Sequence, residues 1–452
     1  MKNSSRRAAA AGGAARNVPA GAPTEAAAAA GPTAMDAAEL VRALAAGDLG
    51  FHQLPRDLPA SEAAKIRRRA LEEATGASLE HIASFSLDAE RAATRHCENL
   101  IGAAQIPMGI VGPVRVRGEH VDDEVLVPLA TTEGALLASV NRGCTAIRRA
   151  GGAVVSVEDV GMTRAPVFRT GGIEETHAFL SWVAGHEPEI RRVTEATSRF
   201  LRLVEVKPRA VGTTVFLRFR FETGDAMGMN MVTIACDRAV REIIEPGTGV
   251  PCIALSGNVC VDKKASAINF QEGRGKRIYA EVELRGETLE RTLKSKARAL
   301  IEVNYRKNLI GSIMAGAMGW NAQMANVLAA LFVATGQDLA HVVEGAMGIT
   351  SIEPKGADGV LFSVYLPDVP LGAVGGGTGL ATQREALQLL GVVPDERRPG
   401  AAALRLAEIV GAVVLAGEVS LMAAFTSQDL ARAHERLGRG ADEIPPSPGS
   451  AS

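Results

Sequence analysis

The stretch "NLIGSIMAGAMGWNAQMANVLAALFVATGQDLAHVVEGA", residues 308–346, constrains the fold more than any other part of the chain: it is apolar, rich in Gly and Ala, and free of Pro. Small side chains let helix backbones approach closely, so the stretch is expected to form part of a packed helical core. Asn321, Asn326 and Asp338 would then lie among apolar groups and need hydrogen-bond partners. Asp338 makes the strongest demand, because a carboxylate within an apolar helix costs several kcal/mol unless it is paired or its pKa has risen. Lys263 is one candidate cation. A second apolar helix, "ALRLAEIVGAVVLAGEVSLMAAFTSQDLARAHERLG", closes the ordered chain.

A chain of 452 residues, 47% hydrophobic and 22% charged, is long enough for several domains and has ordinary globular composition. Its net charge of -2 leaves no broad basic footprint, so no nucleic-acid partner is expected. The five cysteines (97, 144, 236, 252, 260) are scattered without a Cys-x-x-Cys pair, which argues against a disulfide framework and a zinc site. No metal is expected, and a reducing cytoplasm fits best. An uncharged, strongly apolar run of spanning length is lacking, so no membrane span is expected. Arg6-Arg7 is followed by Ala and Gly, without the apolar segment of a twin-arginine signal.

Residues 1–35 are Ala, Gly and Pro rich and read as a disordered tail, as does "EIPPSPGSAS" at the other end. From 36 to 84 the pattern is helical, with Ser61 capping "SEAAKIRRRALEEATG" and Gly76 ending it. The run Arg67 to Arg69 faces Glu72 and Glu73 at helical spacing and reads as a solvated, self-paired surface. "TTEGALLASVNRGCTAIRRAGG" (131–152) reads as a helix from Thr131 or Thr132, burying Leu136, Leu137, Val140 and Ile147. Glu133 then sits in the first turn, where a carboxylate complements the helix dipole. Residues 166–256 read as a separate α+β unit, with "TTVFLRFRFETGD" (213–225) alternating as a half-buried strand and a helix expected at about 226–243.

Four features hold candidate chemistry, each beside a plainer reading. "AVGGGTGL" (373–380) could let a backbone approach a cofactor, but no GxGxxG follows a strand, and a flexible loop is the plainer reading. "GDAMGMNM" (224–231) could present a helix N-terminus to phosphate, or be a capped helix with a Met-rich core face. His434, in the last turn of the closing helix, reads by itself as a surface residue stabilised by the helix end. Asp262, Lys263 and Lys264, in "SGNVCVDKKASAINFQEGRGKR" (256–277), are either a solvated charge run or a site.

At these same segments the chain resembles the 3-hydroxy-3-methylglutaryl-coenzyme A (HMG-CoA) reductase family, from about residue 60 to 437. The resemblance rests on "ENLIGAAQIPMGIVGPV" (98–114), "PLATTEGALLASVNRGC" (128–144), "GMTRAPV" (161–167), "GDAMGMNM", the block at 256–277, "NLIGSIMAGAMGWNAQMAN", "GQD" (336–338), "VGGGT" and "LAGEVSLMAA" (415–424). It implies reduction of the HMG-CoA thioester in two steps to mevalonate and CoA, with NADPH. The implied catalytic residues are Glu133, Lys263, Asp338 and His434. Lys263 would stabilise the developing oxyanion, by roughly 3–4 kcal/mol. His434 would protonate the CoA thiolate, and Glu133, its pKa raised, would donate a proton in the second reduction.

The resemblance further implies that Ser139, Asn141 and Arg142 lie near CoA, Arg164 and Ser256 near the HMG carboxylate, and Lys264, Lys307 and Asn321 nearby. Ser198 and Arg199 match positions that hold the 2'-phosphate of NADPH. Asp225, Ala226, Met227, Gly228, Met229, Asn230 and Met231, with Val374, Gly375, Gly376, Gly377 and Thr378, would contact the rest of the cofactor, as would Arg439. The implied fold is α/β (α+β): a large helical substrate domain (85–165 and 257–437) with a small ferredoxin-like NADP-binding domain inserted at 166–256, an N-terminal helical region (36–84) and a flexible tail (438–452). "IPMGIVGPV" and "DAMGMNM" point to the first-class, biosynthetic branch. That branch implies a homotetramer built as a dimer of dimers, with sites shared between subunits and ENLIG at the contact. The polar N-terminal tail implies a soluble enzyme where some relatives carry membrane spans, and Gly440 replaces a phosphorylatable serine. The same fold running mevalonate oxidation with NAD, and a non-catalytic CoA-binding homologue, are the alternatives.

Overall fold

A computed structural model describes residues 35–427. The expectations for the terminal tails, His434, Arg439 and Gly440 lie outside the described residues. Two compact units divide the chain, one ending at Gln105 and the other beginning at Ile106.

In the first unit, helix Ala37–Ala46 opens on a reciprocal capping box between Asp36 and Glu39. Helix Ala60–Thr75 ends at Gly76 in a left-handed conformation, as its sequence predicts. Its start differs: Pro59 precedes the first turn, no side chain caps it, and Ser61 lies inside the helix. The arginine run is not a self-paired solvated face either. Arg67 is buried and donates to the Phe51 carbonyl at 3.0 Å and the Leu100 carbonyl at 3.3 Å, and Arg68 donates to that of Ile101 at 2.6 Å. Irregular segments leave carbonyls without ladder partners, and guanidinium groups satisfy them.

The second unit is a mixed helix and antiparallel-sheet fold. Its strands are β1 (Met108–Arg117), β2 (Asp122–Ala130), β3 (Ala153–Arg164), β4 (Val167–Arg169), β5 (Arg202–Val211), β6 (Thr214–Glu222), β7 (Cys252–Ala254), β8 (Arg274–Leu284), β9 (Ile349–Lys355) and β10 (Gly359–Val369). They form one sheet in the order β7-β4-β6-β3-β8-β10-β9, with β1 joining β2 and β3, and β5 joining β6. β3 is the seam: residues 154–161 pair with β8, and residues 162–164 pair with β6. Gly161 at φ 76 makes the bend between them, where a Cβ would come 2.7 Å from the Phe221 carbonyl oxygen.

On either side of this seam lies a core. The larger gathers Val114, Leu129, Ile147, Ile278, Leu328, Phe362 and most of helix Ala401–Ser427. The smaller gathers Phe168, Phe179, Ile190, Phe219, Phe221, Ala235 and Ile244. β6 serves the smaller core on one face, yet its alternate residues do not face water. Arg218 and Arg220 are buried, bonded to Glu272 at 2.7 Å and Glu205 at 2.7 Å respectively. Alternation in "FLRFRF" therefore separates an apolar core from a covered ion-pair layer.

Against the expectation of no spanning run, helix Ala401–Ser427 is long and apolar enough to cross a bilayer by length and composition; 83% of its apolar window is buried inside the protein. Two buried glutamates explain its position. Glu408 accepts from the backbone N–H groups of Glu119, His120 and Val121 at 2.7–2.9 Å. Glu418 accepts from those of Ala322 and Gln323 at 2.9 and 2.6 Å and from the Thr350 hydroxyl at 2.6 Å. Each carboxylate gathers N–H groups that lack ladder partners; at Glu418 burial still outweighs these bonds and pushes the carboxyl above its ordinary value.

The apolar 308–346 stretch is not continuous helix. It turns at Gly316, pairs Trp320 with Ile349, runs as helix Met324–Thr335, and turns again at Gly336, both glycines having left-handed φ near 70. The Glu418 contacts at 322 and 323 fix the restart of the helix.

Candidate active site

Between β7 and the helix Ala267–Glu272, the DKK segment lies in a loop with three non-glycine residues in the left-handed region: Asn258 (φ 63), Val261 (φ 50) and Lys263 (φ 59). Such conformations cost of order 1–3 kcal/mol each and persist only where the surroundings over-determine them. Here they do. Arg218 donates to the Val259 carbonyl at 3.1 Å, Thr163 to that of Cys260 at 3.1 Å and Asn269 to that of Val261 at 3.0 Å, while the Lys263 N–H donates to Glu344 at 3.2 Å.

Lys263 Nζ lies 2.8 Å from Asp338 Oδ2, so the expected ion pair forms. The setting of Asp338 differs from a mid-helix carboxylate: it follows Gly336, caps the short turn Leu339–His341 through the Ala340 N–H at 3.1 Å, and is 36% exposed. The hydrogen bond to Asp338 pushes the Lys263 ammonium above its ordinary value against opposing burial, helped by the charges of Asp338, Asp262 and Glu344. For Asp338, burial pulls upward, but the Lys263 and Ala340 bonds and the His341 and Lys263 charges hold its carboxyl below the usual value.

Behind this pair is a buried polar cluster that sequence reasoning missed. Arg274, fully buried, donates to Glu344 at 2.9 and 3.0 Å and to Asp262 at 2.8 Å. His341 Nδ1 donates to Glu344. Asp368 is buried nearby, and burial, reinforced by the Glu344 charge, pushes its carboxyl well above the ordinary value. Asp262, His341 and Glu344 present one ligand atom each within 4.8 Å of one another, a spacing a metal ion could bridge. Arg274 already supplies the cation to both carboxylates. The legible signal was the charge density of "DKK", "EGRGK" and "HVVEG", which pattern alone does not assemble.

Glu133 is exposed and precedes helix Leu136–Arg149 instead of occupying its first turn, because Ala135 in a left-handed conformation sets the helix start. Leu137 is only half-buried there. The Glu133 carboxylate accepts from Asn326 Nδ2 at 3.4 Å. Asn326 stands at the opening of helix Met324–Thr335, whose far end leads to Asp338. Nine helical steps of about 1.5 Å separate the two ends by roughly 14 Å. Glu133 and the Lys263–Asp338 pair thus occupy opposite ends of one helix.

The other substrate residues divide. Arg164 lies 3.8 Å from Asp262, and Ser256 lies 3.6 Å from Cys260 Sγ, both beside the DKK loop. Lys264 reaches the Asp262 carbonyl at 3.4 Å. Lys307, lowered by burial, bonds Asn308 at 3.0 Å and covers the Phe425 ring. Asn321 donates to the Ala346 and Gly348 carbonyls at 3.0 and 3.1 Å. Asn141 accepts from the Gly112 N–H at 2.8 Å, and Ser139 and Arg142 both bond the Ser420 hydroxyl at 3.0 Å.

The two glycine-containing segments meet. Ala226 pairs with Val374, and the Asp225 carbonyl accepts from the Ala373 and Val374 N–H groups at 2.7 and 3.2 Å. Gln337, the middle residue of "GQD", is buried and closes two bonds with Gly372 at 2.9 and 3.0 Å. A Cβ on Gly336 would come 2.4 Å from the Gly377 backbone, so this approach requires glycine. "VGGGT" is a one-turn segment, Gly376–Gly379, pinned by the Thr378 hydroxyl on the Gly375 carbonyl at 2.8 Å, and not a free loop. Gly375 and Gly376 are exposed. Met227, Gly228, Met229, Asn230 and Met231 open helix Met229–Ala239, which starts at Gly228 (φ 98) without a side-chain cap. Ser198 accepts from the Phe200 N–H at 3.3 Å, and the exposed Arg199 pairs with Glu396 at 2.7 Å.

The family model of hydroxymethylglutaryl-coenzyme A reductase matches residues 63–439. The chain is 52% identical over 395 residues to the 3-hydroxy-3-methylglutaryl-coenzyme A reductase of Methanothermobacter thermautotrophicus, covering 87% of this chain and 98% of that one. It is 49% identical over 408 residues to that of Aeropyrum pernix, covering 90% and 97%. In fold it resembles the class II reductase of Streptococcus pneumoniae, solved bound to NADPH in open conformations, with a TM-score of 0.60, 18% identity, and coverage of 79% and 82%. Profile, relatives and fold agree, and the chain belongs to the hydroxymethylglutaryl-coenzyme A reductase family.

Proposed function

We propose that the chain reduces (S)-3-hydroxy-3-methylglutaryl-CoA to (R)-mevalonate and CoA with NADPH, in the mevalonate route to isoprenoids. The Lys263–Asp338 pair carries this reading: a partly exposed ammonium, held on a strained loop, with one N–H engaged at 2.8 Å and others left to bind a carbonyl oxygen. As negative charge grows on that oxygen, a fixed ammonium stabilises it by roughly 3–4 kcal/mol, a hundredfold to a thousandfold in rate. Arg164, beside the same loop, has the planar donor fork suited to the HMG carboxylate.

The cofactor segments fit a dinucleotide. Helix Met229–Ala239 begins without a side-chain cap, Gly375 and Gly376 expose backbone, and Arg199 is held by an exposed ion pair and by the face of the Phe200 ring at 4.5 Å. NADPH, when bound, supplies hydride. Arg199 with Ser198 would hold its 2'-phosphate, and the segments at 225–231 and 374–378 would hold the remainder. His434 would protonate the leaving thiolate.

The distance of Glu133 from Lys263 supports a site shared in a dimer, with Glu133 of one protomer meeting the partner's Lys263 and the partner's Asp338. That contact would bury Glu133 beside a second carboxylate, the setting a proton donor requires. A tetramer of two such dimers, in the cytoplasm, completes the reading. The blocks "IPMGIVGPV" and "DAMGMNM" support the first-class branch, and 18% identity to the class II structure speaks for fold and not for branch. The test is HMG-CoA-dependent NADPH oxidation by purified protein, with two NADPH consumed per mevalonate formed. No oxidation above the level without HMG-CoA refutes the reading.

A further inference from the structure

Among the described residues, His341 has an unusual position: it is fully buried, its Nδ1 is bonded to Glu344, and its Nε2 has no hydrogen-bond partner yet lies 3.7 Å from Asp338 Oδ2. Glu344, also fully buried, accepts both the His341 ring and the backbone N–H of Lys263 at 3.2 Å, and Arg274 neutralises it. One carboxylate therefore fixes the backbone of one member of the ion pair and the ring that faces the other member.

We propose that His341 and Glu344 form a positioning relay behind Lys263 and Asp338, in which the doubly protonated ring donates from Nδ1 to Glu344 and from Nε2 to Asp338, holding that carboxylate in place when Lys263 turns to the substrate oxygen. This rests on the reading of Lys263 and Asp338 as the reacting pair. At rest Asp338 is held by Lys263 and the Ala340 N–H. Once the ammonium is shared with a developing oxyanion, the imidazole is the side chain able to close the remaining gap. The charged and titratable groups around the ring are Asp338 and Glu344 on its own segment, Asp262 and Lys263 on the loop, Arg274 on β8 and Asp368 on β10. Both His341 and Glu344 are positioning residues, since neither is exposed to a substrate.

Near-isosteric variants separate this role from packing. His341→Asn keeps a donor toward Glu344 but cannot reach Asp338, whereas His341→Gln can reach Asp338. The relay predicts that His341→Asn lowers kcat tenfold or more, keeps KM for both substrates within about twofold, and moves the acid limb of the kcat profile to higher pH. The sign follows from the ring, which helps to lower the Asp338 pKa. His341→Gln should stay within about threefold of wild type. Glu344→Gln, with the Lys263 loop loosened, should also lower kcat. A wild-type enzyme that is active while the folded Asn and Gln variants match it, or fall equally with no shift of the acid limb, overturns the relay. Wild-type protein without HMG-CoA-dependent NADPH oxidation instead refutes the catalytic reading beneath it.

Discussion

At Lys263 and Asp338 the two pKa shifts run in opposite directions, and their signs fix a pH window. Asp338, held below its ordinary 3.8, contributes stability that is present above that value and is lost as pH falls through its folded pKa. Lys263, raised above 10.5, contributes stability that is fully present below that value and is lost as pH rises through its folded pKa. The melting-temperature difference between wild type and Asp338→Asn is therefore expected to be flat between about pH 5 and pH 9 and to shrink under stronger acid. At Arg199, the ion pair with Glu396 is exposed on both sides and is worth little, so a phosphate dianion can replace it. Arg199→Gln should reduce the ratio of NADPH to NADH efficiency by tenfold or more, read from kcat/KM with each nicotinamide; an unchanged ratio removes Arg199 from the phosphate site.

The elements show where a sequence stops being legible. The need of Asp338 for a cation is legible, with Lys263 one candidate, and the pair forms, although Asp338 lies outside the apolar helix and is partly exposed. Helix ends at Gly76 and the buried Leu136, Val140 and Ile147 were equally plain, because periodicity and glycine act locally. Glu408 and Glu418 were not read as clamps, since their partners are backbone groups far away in the chain: nothing about Glu418 itself names Ala322. The same holds for Arg67, which reads as surface until tertiary structure encloses it, and for the buried Arg218 and Arg274, whose partners also lie elsewhere in the chain. The contact of helix Leu136–Arg149 with the closing helix offers a test. Gly143 brings a would-be Cβ to 1.9 Å from the Ala416 carbonyl oxygen, so Gly143→Ala should destabilise by about 1–3 kcal/mol in urea unfolding. A change within experimental error would mean that the two helices separate more easily than their packing indicates.

For the whole molecule, Glu133 lies apart from Lys263 and Asp338 along one helix, and the proposed dimer joins them across two protomers. Co-expression of Glu133→Gln with Lys263→Met chains should therefore give hybrid dimers with partial activity, while each variant alone is nearly inactive; no recovery in isolated hybrids contradicts the shared site. The central claim is that Lys263 stabilises charge on the HMG-CoA carbonyl during hydride transfer from NADPH. Stopped-flow single-turnover oxidation of NADPH with HMG-CoA, by wild type and Lys263→Ala, tests it most directly. Loss of the ammonium should lower the hydride-transfer rate by a hundredfold to a thousandfold in the variant, with NADPH binding unchanged. Equal single-turnover rates in the two proteins would contradict it.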